Sequence, residues 1–240
     1  MLQTKDLSIQ IWEKSIIKNV SMEFELGKNY CILGKNGSWK SSLAMSIMGH
    51  PKYTINNGDI LLDWISIKEF APEQRAKLWI FLAFQNIPEI KWVKLFEFLR
   101  SIYDAKNNSQ TSFLQFKKII EPLLEELKID KEFLWREVNV GFSWWEKRKA
   151  EMLQLKLLEP SYIFLDEIDS WLDVDAFKSV AKVVAWLNHW KNSFIIITHL
   201  FNILEYLPVD RVYVMQDGKL EKQGEKKLIE QIKKDWFENL

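Results

Sequence analysis

Gly34-Lys35-Asn36-Gly37-Ser38-Trp39-Lys40-Ser41 lies between a short apolar run, Tyr30 to Leu33, and an apolar helical stretch, Leu43 to Met48. A strand that feeds a glycine-containing loop and then a helix is the setting of a phosphate-binding loop. There the backbone amides face phosphate oxygens, the helix N-terminus adds a favourable field, and Lys40 supplies positive charge. Ser41 offers a hydroxyl to Mg²⁺, and Ser42 continues the binding segment. One position departs from the pattern: the glycine expected before the lysine is absent, and Trp39 stands in its place. Taken alone, the stretch also reads as a chance glycine-containing turn.

Outward from this loop the chain alternates in the manner of an α/β protein. Leu7 to Ile11, Ser21 to Leu26 and Asp59 to Leu62 read as strands before and after it. The middle, about 86–150, reads as mostly helical. Phe116, Ile119, Ile120, Leu123, Leu124 and Leu127 recur at helical spacing there, with Pro122 marking a kink or break and Asn107 to Ser112 a polar loop. Beyond it come a strand at Tyr162 to Leu165, a helix at Val174 to Leu187 and a strand at Phe194 to Ile197. A helix at Leu200 to Leu207 follows, then a strand at Arg211 to Met215 turned by Asp217-Gly218. Such alternation implies a largely parallel sheet with helices on its faces. The expectation is one α/β domain over 1–240, with a nucleotide-binding core, an antiparallel β subdomain and an inserted helical subdomain.

Composition narrows the function classes. The 240 residues carry 33 basic and 33 acidic side chains, without the basic excess of a typical nucleic-acid binder. The longest apolar runs, such as Phe194 to Ile197, fall far short of the roughly 20 residues that span a bilayer. Met1 to Asp6 is polar, with no secretory h-region behind it. The single cysteine, Cys31 in an apolar run, excludes an intrachain disulfide and suits a reducing compartment. These features point to a cytoplasmic protein that contacts neither membrane nor nucleic acid.

A second motif adds to the first. Ile163-Phe164-Leu165-Asp166-Glu167 is an apolar strand ending in two carboxylates. Asp166 suits the Mg²⁺ shell and Glu167 the polarisation of an attacking water, as phosphoryl transfer to water needs. A buried strand ending in solvated acids is the plainer alternative, and the upstream phosphate loop makes it the lesser one.

Together these motifs resemble the nucleotide-binding domain of ABC-type ATPases. Gln85, in Phe81-Leu82-Ala83-Phe84-Gln85, matches the Q-loop glutamine. Phe142-Ser143-Trp144-Trp145-Glu146 stands where the family has its Ser-Gly-Gly signature. Ser170-Trp171-Leu172-Asp173 matches the D-loop, and Thr198-His199 the switch histidine. Within that family the chain is similar to the SufC subgroup of iron–sulfur cluster assembly. Gly49 to Tyr53, Phe96 to Arg100, Asn139 to Ser143 and Asp166 to Ser170 carry this likeness. The adenine-stacking aromatic of many transporter domains aligns near Ile11, so the resemblance implies that this contact is absent here.

The resemblance implies ATP hydrolysis with Mg²⁺. Glu167 is the implied general base, aided by Lys40, Gln85 and the γ-phosphate sensor His199; Ser41, Gln85 and Asp166 hold the metal. ATP would lie between two copies of the chain, with Ser143, Trp144, Trp145 and Asp173 meeting the nucleotide across the dimer. The implied partners are SufB-like and SufD-like scaffold proteins. A transport ATPase docked on a permease shares every catalytic motif, and a catalytically dead scaffold is the third reading.

The third reading gains weight only if the tryptophans are real. The chain has 12 Trp and only 8 Gly, whereas glycine is ordinarily about 7% of residues. Trp39, Trp144, Trp145 and Trp171 occupy small-residue seats of the motifs. Asp63-Trp64 and Trp12 sit where hairpin turns call for glycine, and Trp79, Trp92, Trp135, Trp186, Trp190 and Trp236 where glycine reads naturally. Some bacterial lineages read UGA as glycine, and translation of such a gene with UGA as tryptophan gives this pattern. A genuinely Trp-rich protein would instead spread its indoles over core positions.

Overall fold

The computed structural model describes residues 1–167, 184, 192–199, 204 and 208–238, the last six as backbone alone. In chain order, β1 (Leu2–Ile11), β2 (Lys14–Phe24) and β3 (Tyr30–Leu33) lead to α1 (Lys40–Ile47). Then come β4 (Thr54–Leu62), β5 (Ile65–Ser66), α2 (Pro72–Lys77), β6 (Ile80–Ala83) and β7 (Ile90–Lys94). The helical part holds α3 (Leu95–Asn107), α4 (Phe113–Glu126), a 3₁₀ turn (Lys131–Trp135), β8 (Glu137–Val138) and α5 (Trp144–Leu158). β9 (Tyr162–Asp166), β10 (Ser193–Thr198), β11 (Arg211–Gln216), β12 (Lys219–Gly224) and α6 (Lys227–Glu238) complete the described elements.

The central sheet runs β12-β11-β3-β10-β9-β6, parallel throughout except for the β11–β12 hairpin. Its inner strands β3, β9 and β10 are buried along their whole length, which is why they read as unbroken apolar runs. Parallel register brings Leu33 level with Thr198 and Ala83 level with Leu165, so four strands deliver their C-terminal segments to one edge. A second sheet, β2-β1-β4-β5, is antiparallel. Phe24 of β2 bridges the two, packing edge-on against Tyr30 at 5.1 Å and Phe164 at 5.9 Å. Truncating such a buried aromatic to alanine costs roughly 3–5 kcal/mol.

The other face of the central sheet, with Cys31, Leu33, Ile163 and Leu165, packs on Met152 and Leu155 of α5. The helical part has its own core, in which Phe96, Phe116, Ile120 and Leu124 meet Ala150, Leu153 and Leu157 of α5. α5 therefore belongs to both bodies. Arg75, buried, ties down the end of α1 by donating to the Ser46 and Ile47 carbonyls, both at 2.9 Å. Among the described residues no helix is long and apolar enough to cross a membrane.

Three sequence expectations need correction or limits. α4 runs through Pro122 without ending, because the helix has tertiary packing on both sides of it. The mostly helical stretch 86–150 also holds an antiparallel ribbon of β7 and β8, and its last helix, α5, extends beyond it to Leu158. The helices expected at Val174 to Leu187 and Leu200 to Leu207 lie outside the described residues, apart from the single positions 184 and 204.

The backbone also discriminates among the tryptophans. Of the eight whose side chains are described, five are left-handed: Trp12 (φ 54), Trp39 (φ 71), Trp64 (φ 69), Trp79 (φ 66) and Trp92 (φ 67). Asp63 and Trp64, with φ 47 and 69, turn β4 into β5 as Asp217 and Gly218, with φ 49 and 76, turn β11 into β12. Trp79 stands one residue past the C-cap of α2, a seat that glycine usually takes. A left-handed L-residue costs roughly 1–2 kcal/mol, so five such residues are on the scale of a whole domain's stability. Trp135, Trp144 and Trp145 lie in helical turns, where the backbone makes no such demand.

Candidate functional site

The loop between β3 and α1 opens with Gly34, where a Cβ would stand 2.3 Å from the Met215 carbonyl and 2.5 Å from Ser38 Oγ. Only glycine lets the chain turn this tightly against β11. Asn36 and Gly37 lead the turn, and the Ser38 amide closes it on the Lys35 carbonyl at 3.2 Å. Lys40, buried at the first turn of α1, folds its ammonium back on the loop and donates to the Gly34 carbonyl (2.8 Å) and the Lys35 carbonyl (3.1 Å). Burial lowers its pKa, while Glu167 and Asp166 pull the other way.

The C-terminal ends of β9, β10 and β6 supply the acids and their partners. Ser41 Oγ donates to Asp166 Oδ1 at 2.8 Å. Burial pushes the Asp166 carboxyl up to about 6; the Ser41 hydrogen bond and Lys40 oppose the rise, and Glu167 adds to it. Glu167 is left-handed (φ 46), a strained conformation of the kind that gathers at functional sites, and its amide is fixed on the Ile197 carbonyl at 2.9 Å. Its side chain accepts from Gln85 Nε2 at 2.7 Å. His199 Nδ1 lies 3.2 Å from the other carboxylate oxygen, within ion-pair range but without hydrogen-bond alignment.

A cavity of about 310 Å³ opens over these groups, lined by Asn36, Gly37, Trp39, Lys40, Ser41, Ser42, Gln85 and Glu167. A larger hollow of about 460 Å³ between the two sheets brings together none of the candidate catalytic residues. The Ser41 hydroxyl and the Asp166 carboxylate are two hard oxygens side by side, the set that Mg²⁺ takes when phosphate and water supply the rest. Among the described residues no cluster of three His, Cys, Asp or Glu forms an all-protein metal cage. The donors therefore fit a magnesium–nucleotide better than a resident metal. Trp39 is the misfit, its half-buried ring reaching toward Lys14 Nζ, 5.3 Å from the ring centre.

The family model described as ABC transporter matches residues 17–170. The chain belongs to the ABC transporter family. Among relatives of this ABC cassette, the probable ATP-dependent transporter ycf16 of Antithamnion sp. is 42% identical, covering 92% of this chain and 89% of that protein. The iron–sulfur cluster assembly protein SufC of Plasmodium falciparum is 38% identical, covering 97% of this chain and 69% of that protein. The dimeric bacterial ABC transporter cassette MJ0796 shares the fold, with a TM-score of 0.79 at 18% identity over 94% of this chain and 98% of that one.

In this ABC cassette the sheet brings together Gly34, Lys35, Asn36, Gly37, Ser38, Trp39, Lys40, Ser41, Ser42, Gln85, Asp166, Glu167 and His199. Ser143, Trp144 and Trp145 stay out of the cavity. Ser143 is exposed and caps α5, accepting from the Glu146 amide at 3.2 Å while Glu146 accepts from the Ser143 amide at 2.7 Å. Asp173 lies outside the described residues. Sequence reasoning missed Arg148 and Glu151, which are only 1% and 3% exposed. The available signal was their i,i+3 spacing on the face that also carries Met152 and Leu155.

Proposed function

We propose that the chain hydrolyses ATP with Mg²⁺ in the cytoplasm as the ATPase subunit of an iron–sulfur assembly scaffold with SufB-like and SufD-like partners. The observation that carries hydrolysis is the Glu167 carboxylate, held by Gln85 and next to His199 at the rim of the Lys40 loop. In this reading Lys40 and the loop amides bind phosphate, and Ser41, Asp166 and Gln85 hold the metal. Mg²⁺, when bound, neutralises phosphate charge. Glu167 aligns the attacking water and takes its proton, and His199 follows the γ-phosphate. Ser143 and its neighbours, with Asp173, meet the nucleotide of a second copy, so self-association depends on ATP. The 38% identity to the Plasmodium SufC, over 97% of this chain, supports the scaffold role.

The same reading assigns glycine to the 12 tryptophan positions of the natural protein. The five left-handed backbones support it, and so does the bulk of Trp39 in a loop that phosphate must approach closely. With glycine there, the loop amides are open to phosphate. With tryptophan there, the dead-scaffold reading takes over.

The transporter name of the Antithamnion relative favours a second reading, an ATPase docked on a permease. Affinity purification of the tagged chain from its host separates the two. The scaffold reading predicts soluble SufB-like and SufD-like proteins in the eluate, and a membrane subunit in their place overturns it.

A further inference from the structure

β6 ends at Ala83, whose register partner is Leu165, and the chain then leaves the sheet at Phe84 and Gln85. Their backbone groups need new partners. Two side chains of α5 provide them. Arg148 Nη1 donates to the Phe84 carbonyl at 2.9 Å, and its Nη2 reaches the Gln85 carbonyl at 3.4 Å. Glu151 Oε1 accepts the Phe84 amide at 3.0 Å, and its other oxygen receives Arg148 at 2.5 Å. Both backbone groups of Phe84 are thus pinned to α5, one residue before the side chain that holds Glu167.

A buried ion pair is a poor source of stability, because desolvation offsets the attraction and apolar residues of similar volume do as well. Burial in fact raises the Glu151 pKa, with Arg148 and the Phe84 amide opposing. What this pair supplies is geometry: a planar fork aimed at the Phe84 and Gln85 carbonyls, locked by a carboxylate that also takes the Phe84 amide. We infer that Arg148 and Glu151 are positioning residues that hold Gln85 against Glu167 and tie the catalytic glutamate to α5. The N-cap of α5 is Ser143, five residues before Arg148. A shift of α5 at its signature end is therefore passed through Phe84 to Gln85, and so to Glu167. The ring of Trp144 lies 4.7 Å from the guanidinium, but the four hydrogen bonds do not depend on it.

This inference rests on the proposed hydrolysis, so the test starts from the chain carrying glycine at the 12 tryptophan positions. Steady-state ATP hydrolysis and thermal unfolding are measured for that parent, Arg148→Met/Glu151→Leu, Gln85→Ala and the triple variant. The double variant removes both charges together and so leaves no unpaired ion. It is expected to stay folded, with a lower Tm because the Phe84 amide and carbonyl lose their partners, and to keep KM for ATP within about threefold, while kcat falls about tenfold or more. Added to Gln85→Ala, it should cost less than about twofold further, because the clamp acts through Gln85. A folded double variant with parental kcat overturns the clamp, and so do losses that multiply in the triple variant. If the double variant does not fold, Arg148→Lys decides: it keeps the pairing with Glu151 but loses the fork, so kcat must fall at unchanged KM, and parental kcat overturns the clamp. A parent that does not hydrolyse ATP at all overturns the functional reading, and the clamp with it.

Discussion

The Ser41 hydroxyl donates to the Asp166 carboxylate at 2.8 Å across 125 residues of sequence. Ser41 is in the first turn of α1, which follows β3, and Asp166 ends β9; β3 and β9 are separated in the sheet by β10 alone. Register thus places a hydroxyl and a carboxylate together where a hard cation shared with phosphate has its protein ligands. Removing one of the two oxygens weakens the metal without touching Lys40. Ser41→Ala is expected to raise the Mg²⁺ concentration for half-maximal ATPase about tenfold, with a smaller effect on ATP binding measured without metal. A Mg²⁺ titration of the glycine form and of this variant checks it.

Burial of Asp166 has a consequence for pH. Its carboxyl is raised from 3.8 to about 6, so between those values the folded chain keeps a proton that the unfolded chain has released. The stability from this group is full below about pH 4 and is lost as pH rises through about 6. Over the whole window the loss approaches about 3 kcal/mol. Denaturant melts of the nucleotide-free chain across this range, compared with Asp166→Asn, read it directly. The wild-type midpoint should fall relative to the variant as pH rises, and parallel curves would remove Asp166 as the source.

The turn at Asp63-Trp64 offers a test of backbone chemistry free of any catalytic role. Trp64→Gly should stabilise the chain by about 1 kcal/mol, because glycine adopts the left-handed seat without a Cβ clash. Trp64→Ala keeps the Cβ and should gain little. Equal gains for the two variants would mean that loss of an exposed indole, and not φ, is responsible.

The decisive stretches were legible because their chemistry is local. Gly34 to Ser41 and Ile163 to Glu167 announce a strand, a loop and a helix by residue type, and the parallel sheet then puts their ends together. The hairpin seats of Trp12 and Trp64 were legible for the same reason, since two-residue turns constrain φ within the turn itself. Trp79 and Trp92 gave less signal because their left-handed seats follow from a helix end and from an irregular β7–β8 ribbon. Of Arg148 and Glu151 the sequence shows only the i,i+3 spacing, and not what the pair holds. Their partners are backbone groups of Phe84 and Gln85, more than 60 residues away, and a charge that pairs with backbone leaves no trace in the charge pattern.

Peptide mass spectrometry of the protein from its native host tests the tryptophan assignment independently of activity. Peptides spanning positions 39, 64, 79, 92 and 144–145 should carry glycine masses. Tryptophan masses would make the left-handed indoles real and favour the dead-scaffold reading.

The central claim is that Glu167 drives ATP hydrolysis in a loop that needs glycine at position 39. Phosphate release under saturating Mg·ATP, compared among the glycine form, its Glu167→Gln variant and the chain with all 12 tryptophans, tests it most directly. The account predicts turnover in the glycine form and a fall of about a hundredfold or more in Glu167→Gln, with ATP binding retained. It predicts turnover near background in the tryptophan chain. Parental turnover in Glu167→Gln, or equal turnover with and without the tryptophans, would contradict it.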